Sequence, residues 1–390
     1  MHDKPIGIAI VGCGYVADAY RYCLDLHPNI LKLIGCYDKD PKHLAAFTTC
    51  WGDKAYSNID DVLTDESVEI VLNLTDPHNH YDVTKAALMA GKHIYSEKPL
   101  ALAGQQAKDL MQLAKQKGLS LAAAPCNILG EAAQTAWRAI RDGKIGRVRL
   151  VYAELDDGMV HRANYKDWIS RSGQPWPARG EFETGCTYEH AGYALSLLVA
   201  MFGPVRRVSA FSSLIIPDKG TEPVLENPAP DFSSGCLEFD NGIVARVTNS
   251  IVAPYDHRFR IIGDEGTIDI TELWDYASSV ILRQSPKGRI GRVIERKWPY
   301  LSGKKLKLVR KPPIGGGRSN KPTMDFMRGV AELAQSLRDN RSCKLSAELA
   351  DHITEVTEIL QHPDRFNHPT VLSSNFPTIE PEAWALDNVK

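Results

Sequence analysis

The sequence lacks several features that mark other classes of protein. Its longest strongly apolar stretch, residues 193–202, is far shorter than the roughly 20 residues that a membrane-spanning helix needs. The 46 basic and 48 acidic side chains nearly balance, so no charge excess points to nucleic acid or to a membrane surface. The first residues lack the apolar core and small-residue cleavage site of a signal peptide, and we therefore expect a cytoplasmic protein.

Cysteine is present in eight copies but in no metal-binding pattern. The chain has no Cys-x-x-Cys pair and no Cys/His spacing typical of zinc, so the sequence predicts no metal site. Scattered cysteines of this kind fit a reducing compartment, where they pack as small apolar residues.

The length and composition indicate a globular protein of two domains. A chain of 390 residues exceeds what one hydrophobic core normally organises, and 43% of its residues are hydrophobic while 24% are charged. We expect one domain over residues 1–125 and a second over 126–362. A proline-rich C-terminal extension over 363–390 is expected to run along the surface.

Short apolar runs alternate with helical patterns in the first part of the chain. Most of the runs are apolar on both faces, which is typical of strands in a parallel sheet covered by helices. The predicted strands are 6–11, 30–37, 68–74, 93–96 and 119–124, and the predicted helices are 17–26, 41–48, 81–90 and 104–117. The pattern predicts an α/β domain with a doubly wound parallel sheet.

From about residue 147 the sequence becomes rich in strand patterns. The predicted strands are 147–155, 205–215, 231–239, 242–249 and 259–271, with hairpin turns at 240–242 and 264–266. The predicted helices are 131–141, 193–201, 324–338 and 347–360. We expect an α+β domain with an open, mostly antiparallel sheet flanked by helices.

A glycine-rich turn directly follows the first predicted strand. Gly12, Gly14 and Ala17 form a G-x-G-x-x-A pattern, in which Gly12 permits the tight turn and Gly14 lets the backbone approach a pyrophosphate. Asp38 ends the second strand, where its carboxylate accepts hydrogen bonds from a ribose diol and repels a 2′-phosphate. This favours NAD, while the cation of Lys39 keeps NADP possible. Two more residues of the turn are candidate cofactor contacts: Tyr15 and Val16.

A second motif, Glu97-Lys98-Pro99, follows the strand predicted at 93–96. Ligands of open α/β sheets bind at the carboxyl ends of the strands, and a lysine before proline is rigidly aimed there. Together with the glycine-rich turn and the segment 75–80, this motif resembles the glucose-fructose oxidoreductase/inositol dehydrogenase (Gfo/Idh/MocA) family. The resemblance covers most of the chain: the Rossmann half, the segment 140–148 and the hairpin at 240–242.

The resemblance implies an NAD(P)-dependent oxidoreductase that acts on a sugar, polyol, inositol or sugar derivative. In the family, the lysine that matches Lys98 contacts the reacting hydroxyl. The loop that matches residues 75–80 lies along the cofactor, although this sequence shifts to Asp76-Pro77 within it. The cofactor-binding residues implied in this way are Thr75, Pro77, His80, Glu97, Lys98 and Asn127.

The family also has an Asp-x-x-x-His segment that opens a helix of the second domain. Its histidine, which moves the hydroxyl proton, matches His190, but Cys186 stands where the family has aspartate. Glu189 or Glu183 would then replace the missing carboxylate, or proton transfer would rest on Lys98 and His190 alone. The other interpretation of His190 is an ordinary residue at a helix start.

Alcohol oxidation requires a base for the hydroxyl proton and a cation for the developing alkoxide. An imidazole with an ordinary pKa of about 6.5 suits the first role, so we assign it to His190. Lys98 suits the second, and it would share proton transfer if burial lowered its pKa.

A long segment from 156 to 177 joins the first strand of the second domain to His190. It is charged and aromatic with little periodicity, and long loops of this kind are usually functional or disordered. The substrate-contact candidates are His161, Arg162, Asn164, Tyr165, Trp168, Trp176 and, beyond the loop, Cys186. The alternative is that Trp168 and Trp176 pack the loop down or contact another subunit.

Three further alternatives concern the whole protein. An enzyme that keeps NAD tightly bound and cycles it would act as an epimerase, eliminase or sugar–sugar transhydrogenase. A dinucleotide-bound sensor would have lost catalysis. The open sheet face predicts a homodimer or homotetramer, and the basic run over 304–318 is interpreted as a solvated loop rather than a nucleic-acid site.

Overall fold

The computed structural model of the chain describes residues 4–285, 288–297, 303–315 and 322–386. Parts of four predicted segments lie outside the described residues. These parts are 1–3 of the first domain, 286–287, 298–302 and 316–321 of the second domain, 316–318 of the basic run within it, and 387–390 of the C-terminal extension. Among the described residues, no helix combines the length and the apolar character needed to cross a membrane.

Parallel strands form the first sheet, as predicted. Its strands are β1 (Ile6–Val11), β2 (Leu31–Tyr37), β3 (Ile70–Asn73), β4 (His93–Ser96) and β5 (Leu121–Ala123). Their order across the sheet is β2-β1-β3-β4-β5. The flanking helices are α1 (Ala17–Leu24), α2 (Pro41–Trp51), α3 (Ile59–Thr64), α4 (Pro77–Met89) and α5 (Gly104–Lys117). Because β1 and β3 are buried along their whole length, the doubly wound fold is confirmed. The short helix α3 was not predicted, since it buries only Val62.

The second sheet is larger and mostly antiparallel. The elements from residue 131 to 213 are α6 (Glu131–Arg141), β6 (Val148–Asp156), α7 (Ala178–Thr184), α8 (Cys186–Phe202) and β7 (Val205–Ser213). Those up to residue 305 are β8 (Phe232–Phe239), β9 (Val244–Ser250), β10 (Phe259–Gly263), β11 (Gly266–Ile270), β12 (Val280–Gln284), α9 (Gly288–Lys297) and β13 (Lys304–Lys305). The last are α10 (Arg328–Arg338), α11 (Ala347–Gln361), β14 (Thr370–Val371) and α12 (Ala383–Leu386).

The strand order of this sheet is β13-β12-β11-β10-β6-β9-β8-β7-β14, in which only the β6–β9 pair is parallel among the described strands. The predicted strand 259–271 is a hairpin, β10 and β11, which turns at the predicted position. Side chains alternate between two faces. One row is buried: Val208, Leu237, Ala245, Val151, Ile261 and Ile268. The adjacent row lies on the opposite face: Ser209, Cys236, Arg246, Tyr152, Arg260 and Asp269.

Helix α8 begins at Cys186, earlier than the predicted start at residue 193. Every residue of its first two turns is buried, so tertiary packing rather than an amphipathic pattern holds this part helical. The prediction missed these two turns because buried polar residues, Thr187, Glu189 and His190, interrupt the apolar pattern there. As a result, Glu189 and His190 lie on a rigid helix, which fixes where their side chains are placed.

Two helices from the end of the chain complete the packing of the first sheet. Ser346 forms a bridge with Ala122 in β5, and Glu358 of α11 accepts a hydrogen bond of 2.7 Å from the backbone of Gly104. Gly329 of α10 is so close to Tyr95 that a Cβ there would lie 2.2 Å from the tyrosine oxygen. The sheet of the first domain is therefore joined to late segments of the chain through one continuous core.

Candidate active site

The glycine-rich turn leaves open space beside the first turn of α1. Gly12 has φ +99°, and a Cβ there would lie 2.5 Å from the carbonyl group of Leu74. Gly14 has nothing within 4 Å of an added Cβ, so its exposed backbone permits close approach by a pyrophosphate. The turn therefore fits a dinucleotide, whose phosphates would lie against the backbone before α1. Tyr15 and Val16 lie half-buried beside this space.

Asp38 lies at the end of β2, next to the same turn. Its carboxylate accepts hydrogen bonds from the backbone amides of Cys13 at 2.7 Å and Asp40 at 2.8 Å. These bonds place the carboxylate where a ribose diol would reach it, and Lys39 is exposed beside it.

Residues 75–80 connect β3 to α4 and form the start of this helix, and hydrogen bonds hold the segment in place. Thr75 donates its hydroxyl to Asn73 at 2.7 Å, and Pro77 is the first residue of α4. The ring of buried His80 lies within hydrogen-bond distance of two carbonyl oxygens, 2.8 Å from that of Thr75 and 2.6 Å from that of Pro99. His80 thus links the segment 75–80 to the turn that carries Lys98.

Two predicted cofactor contacts, Glu97 and Asn127, form hydrogen bonds within the protein. The buried carboxylate of Glu97 accepts hydrogen bonds from the Tyr20 hydroxyl at 2.6 Å and from the Lys98 backbone at 2.9 Å. The Asn127 amide donates to the Tyr193 carbonyl and accepts from Ser196, each at 2.8 Å. Both side chains therefore position neighbouring elements, and their contact with the cofactor stays a prediction.

Lys98 and Glu189 form an ion pair between the two domains, with 2.6 Å from Nζ to the carboxylate. Burial disfavours the ammonium, but Glu189 and further acidic neighbours prevail and raise the pKa of Lys98 above its ordinary value. The condition under which Lys98 would share proton transfer, a lowered pKa, is therefore not met, and its ammonium stays charged. Burial and Glu189 raise the pKa of nearby Glu181 well above its ordinary range, which favours its neutral acid.

His190 follows Glu189 on the same helix and is buried against Trp274, with 5.6 Å between the ring centroids. Burial, together with Lys98 and His257 nearby, lowers the pKa of His190 well below its ordinary value. The imidazole is therefore neutral at physiological pH and is ready to accept a proton. Its Nδ1 atom has no hydrogen-bond partner among the described residues.

The carboxylate that faces His190 was not among the predicted ones. Asp157, at the end of β6, lies 3.9 Å from Nε2 of His190. Glu189 pairs with Lys98 instead, and Glu183 is exposed and pairs with Arg179 at 3.0 Å.

Cys186 takes no part in this charged cluster. Its buried thiol lies 3.7 Å from the Asn249 carbonyl oxygen, in an apolar cluster that includes Tyr165 and Phe182. Burial raises the pKa of the thiol to about 12, so it stays neutral. The predicted substrate contact at Cys186 is therefore replaced by a packing role.

The aromatic candidates of the 156–177 loop pack mainly against one another. Tyr165, Trp168 and Trp176 stack edge to face with centroid distances of 5.1 and 5.8 Å, and the Tyr165 hydroxyl donates to the Lys219 carbonyl. Arg162 and Asn164 are exposed, and His161 is half-buried. The alternative interpretation of the tryptophans, that they pack the loop down, describes these contacts.

The residues that the sequence reasoning missed surround His190 on its far side. They are Asp157, His257, Glu272 and Trp274. Asp157 carried the same positional signal as Lys98, a charged residue directly after a strand. The other three gave none, because they come from a connection between β9 and β12 that shows no motif.

The fold and this site together define a class of protein. An open parallel sheet with a phosphate-binding turn, joined to a second domain that brings a lysine and a histidine together, is the arrangement of a dinucleotide-dependent oxidoreductase. Residues 6–124 match the model of an oxidoreductase family with an NAD-binding Rossmann fold. Residues 133–269 match the model of the GFO/IDH/MocA C-terminal domain. The chain belongs to the Gfo/Idh/MocA family, which confirms the prediction, and its first domain is an NAD-binding Rossmann domain.

Individual proteins similar to this chain share less than a third of its residues over the aligned length. An uncharacterised oxidoreductase of Schizosaccharomyces pombe is 29% identical over 213 residues, 53% of this chain and 54% of the relative, so the match spans about half of its length. A trans-1,2-dihydrobenzene-1,2-diol dehydrogenase of Mus musculus is 23% identical over 68% of this chain and 74% of its own. The structure of a levoglucosan dehydrogenase with NADH and levoglucosan is similar in fold, with a TM-score of 0.71 at 18% identity over 92% of this chain and 96% of that one.

Within the ranges that the structure describes, no group of three or more His, Cys, Asp or Glu side chains is arranged to hold a metal ion. That the enzyme needs no metal stays a prediction.

The turn yields a test that separates cofactor binding from folding. Because a Cβ at Gly14 meets no protein atom within 4 Å, Gly14→Ala should leave the melting temperature of the apoprotein unchanged. The added methyl would occupy space that a pyrophosphate needs, so we expect NAD to bind at least ~10-fold more weakly, measured by isothermal titration calorimetry.

Gly12→Ala is the matched comparison for this test. Its Cβ would collide with the backbone of Leu74, so we expect a lower melting temperature as well as weaker NAD binding. Unchanged NAD affinity in Gly14→Ala would show that the phosphates bind elsewhere.

Proposed function

We propose that the protein is an NAD-dependent dehydrogenase that oxidises a secondary alcohol of a cyclic, polyhydroxylated substrate such as a sugar, inositol or ring diol. The observation that carries the proposal is the Lys98 ammonium, held 2.6 Å from Glu189, together with the neutral imidazole of the next residue, His190. Lys98 lies at the end of β4, on the edge where the glycine-rich turn holds the dinucleotide, and His190 lies next to its partner Glu189.

The charges of the two groups match the two demands of alcohol oxidation. His190 is neutral, so it accepts the hydroxyl proton, while the Lys98 ammonium stabilises the oxygen as it becomes an alkoxide. NAD, when bound, supplies the acceptor for the hydride. Glu189 keeps the ammonium charged and oriented before the substrate oxygen arrives. In the reductive direction, His190 and Lys98 perform the reverse steps.

The substrate class rests on relatives together with the charge of the site. The mouse relative acts on a ring diol and the structural neighbour holds levoglucosan, both of them uncharged rings with hydroxyl groups. In this chain the Lys98 charge is already balanced by Glu189, so this lysine is a weak partner for a substrate phosphate or carboxylate. Asp38 favours NAD, and the exposed Lys39 leaves NADP as the second cofactor to assay.

The proposal predicts that turnover depends on both groups while cofactor binding does not. Sugars, inositols and ring diols are screened by NADH absorbance, and the best substrate is used for Lys98→Met and His190→Asn. We expect kcat to fall roughly 100-fold or more in each variant, because each loses one positioned group. NAD affinity should change less than about threefold.

Lys166→Met is the matched control, because Lys166 is an exposed lysine of the 156–177 loop. It should retain the wild-type kcat. Turnover that survives in Lys98→Met would contradict the role of Lys98. A wild type that binds NAD but oxidises nothing would favour the dinucleotide-bound sensor.

A second candidate function, internal cycling of a retained cofactor, is favoured by a contact between the two domains. The tip of a hairpin at residues 169–175 reaches α1, where Ser172 donates to Asp18 through its amide at 2.9 Å and its hydroxyl at 2.7 Å. The guanidinium of Arg171 stacks over Trp51 at 4.3 Å. Since the loop starts beside His190 and Asp18 adjoins the phosphate turn, the loop runs along the cofactor crevice.

Retention predicts that NAD copurifies with the protein and leaves slowly. Ser172→Ala removes one of the hydrogen bonds to Asp18 and should raise the NAD dissociation rate several-fold, measured by stopped-flow fluorescence. Ser170→Ala, in the same hairpin but not bonded to α1, is the control. Fast and equal release from all three proteins would rule out a retained cofactor and leave the dehydrogenase with exchangeable NAD.

We also propose that two copies pair through the open face of the second sheet. This face carries Phe211, which is 61% exposed and lies 6.4 Å from the ring of Phe232. A sheet face of this extent is normally covered. Phe211→Asp should shift sedimentation from dimer toward monomer, while Val224→Asp, at a 64% exposed residue in a loop, should not. A monomeric wild type would contradict the pairing.

A further inference from the structure

Cys186 stands where the family has an aspartate, so this position supplies no negative charge to His190. A buried imidazole that takes up a proton becomes a buried cation, which is unfavourable unless a counter-charge is near. The residue four positions earlier cannot supply one, because the Cys186 thiol is neutral and packs among apolar side chains. Glu183 is exposed and Glu189 is bound to Lys98.

Asp157 is a carboxylate that faces His190 from another element, at the end of β6. One carboxylate oxygen lies 3.9 Å from Nε2 of His190, and the other lies 3.6 Å from Nε2 of His257. Both distances are longer than those of hydrogen bonds, which is common for acid/base groups before substrate binds. The backbone of Asp157 is held by a 2.8 Å hydrogen bond to the Ser250 carbonyl, so its place at the end of β6 is fixed.

A second layer holds His257 in turn. The buried ring places its Nδ1 atom 3.0 Å from the Glu272 carboxylate. Glu272 also accepts hydrogen bonds from the Tyr255 hydroxyl at 2.6 Å and the Trp274 amide at 2.9 Å. The Trp274 ring packs against both imidazoles, with centroid distances of 5.6 Å to His190 and 4.3 Å to His257. Two imidazoles and two carboxylates therefore alternate in one series of contacts: His190, Asp157, His257 and Glu272.

Charges on several elements face His190. Lys98 at the end of β4 and His257 before β10 both disfavour an imidazolium, and the Lys98 charge is largely offset by Glu189 of α8. Asp157 of β6 is the acidic side chain that forms an ion-pair contact with the ring itself.

We propose that Asp157, held by His257 and Glu272, is the positioning carboxylate of His190 and replaces the aspartate that the family carries four residues before the histidine. The inference rests on the proposed dehydrogenase function. When the substrate O–H bond breaks and its C=O bond forms, the proton goes to His190, and NAD, when bound, would accept the hydride from carbon. Asp157 then balances the imidazolium, and in reduction the same proton returns to the substrate oxygen.

The proposal predicts a pH dependence that follows Asp157. Burial raises the pKa of Asp157 to about 6, with His257 opposing and Glu272 adding to the shift. As the pH falls through about 6, the carboxylate becomes neutral and ceases to stabilise the imidazolium. The kcat for oxidation should therefore be constant above this pH and fall below it.

Asp157→Asn keeps the shape of the side chain and removes its charge. We expect kcat at pH 8 to fall roughly 100-fold with KM changed less than about threefold, because the loss arises only after the proton moves. The fall in kcat near pH 6 should disappear, since asparagine does not titrate. Glu183→Gln, the same chemical change at an exposed carboxylate on α7, should retain the wild-type kcat and pH profile.

A measurement that needs no turnover tests the role of Asp157 independently of the proposed dehydrogenase activity. The 12 histidines are labelled at the ring and followed by NMR titration of the NAD-bound protein, with His190→Asn identifying the His190 signal. We expect Asp157→Asn to lower the pKa of His190 further, because it removes the counter-charge. Melting temperatures verify that each variant is folded.

The outcomes are distinguishable. If Lys98→Met and His190→Asn abolish turnover but Asp157→Asn does not, the role of Asp157 is wrong and the dehydrogenase stands. If the wild type turns over no substrate, the dehydrogenase is wrong, and the titration alone decides whether Asp157 stabilises the imidazolium. A His190 signal that titrates identically in wild type and Asp157→Asn overturns the inference.

Discussion

The ion pair of Lys98 with Glu189 is the contact on which the site depends. It joins the end of β4 in the first domain to the first turns of α8 in the second, with 2.6 Å between the charged atoms. A buried charge is stable only when it is paired, so this contact sets how the helix approaches the cofactor-binding edge. Because His190 is the next residue of α8, the same pair also decides where the imidazole lies.

Around this pair, the carboxylates of Asp157 and Glu272 face the imidazoles of His190 and His257. Lys98 stays positive and Glu189 balances it, whereas His190 stays neutral until substrate arrives. Glu272 stays ionised because hydrogen bonds from His257 and Tyr255 outweigh the effect of burial and lower its pKa. This balance suits an uncharged, hydroxyl-bearing substrate better than an anion.

Sequence patterns predicted those parts of the site in which the local backbone conformation demands a particular residue type. A tight turn with φ near +99° at Gly12 and an open approach at Gly14 demand glycine, and Glu97-Lys98-Pro99 stands where a strand ends. The role of Cys186 was wrong, since a residue type does not reveal which way its helix faces. The tryptophans of the 156–177 loop carried the same ambiguity, because an aromatic ring suits a sugar face and another ring equally well.

The sequence by itself determined the two sheets, most helices and the cofactor turn, because burial patterns and turn residues act over a few neighbouring positions. Only the tertiary structure decided which carboxylate faces which base. Asp157, His190, His257 and Glu272 are scattered over more than a hundred positions, and they meet only because β6, α8 and the β10 region pack together. Electrostatic pairing depends on distances of a few ångströms, and those distances exist only after the chain has folded.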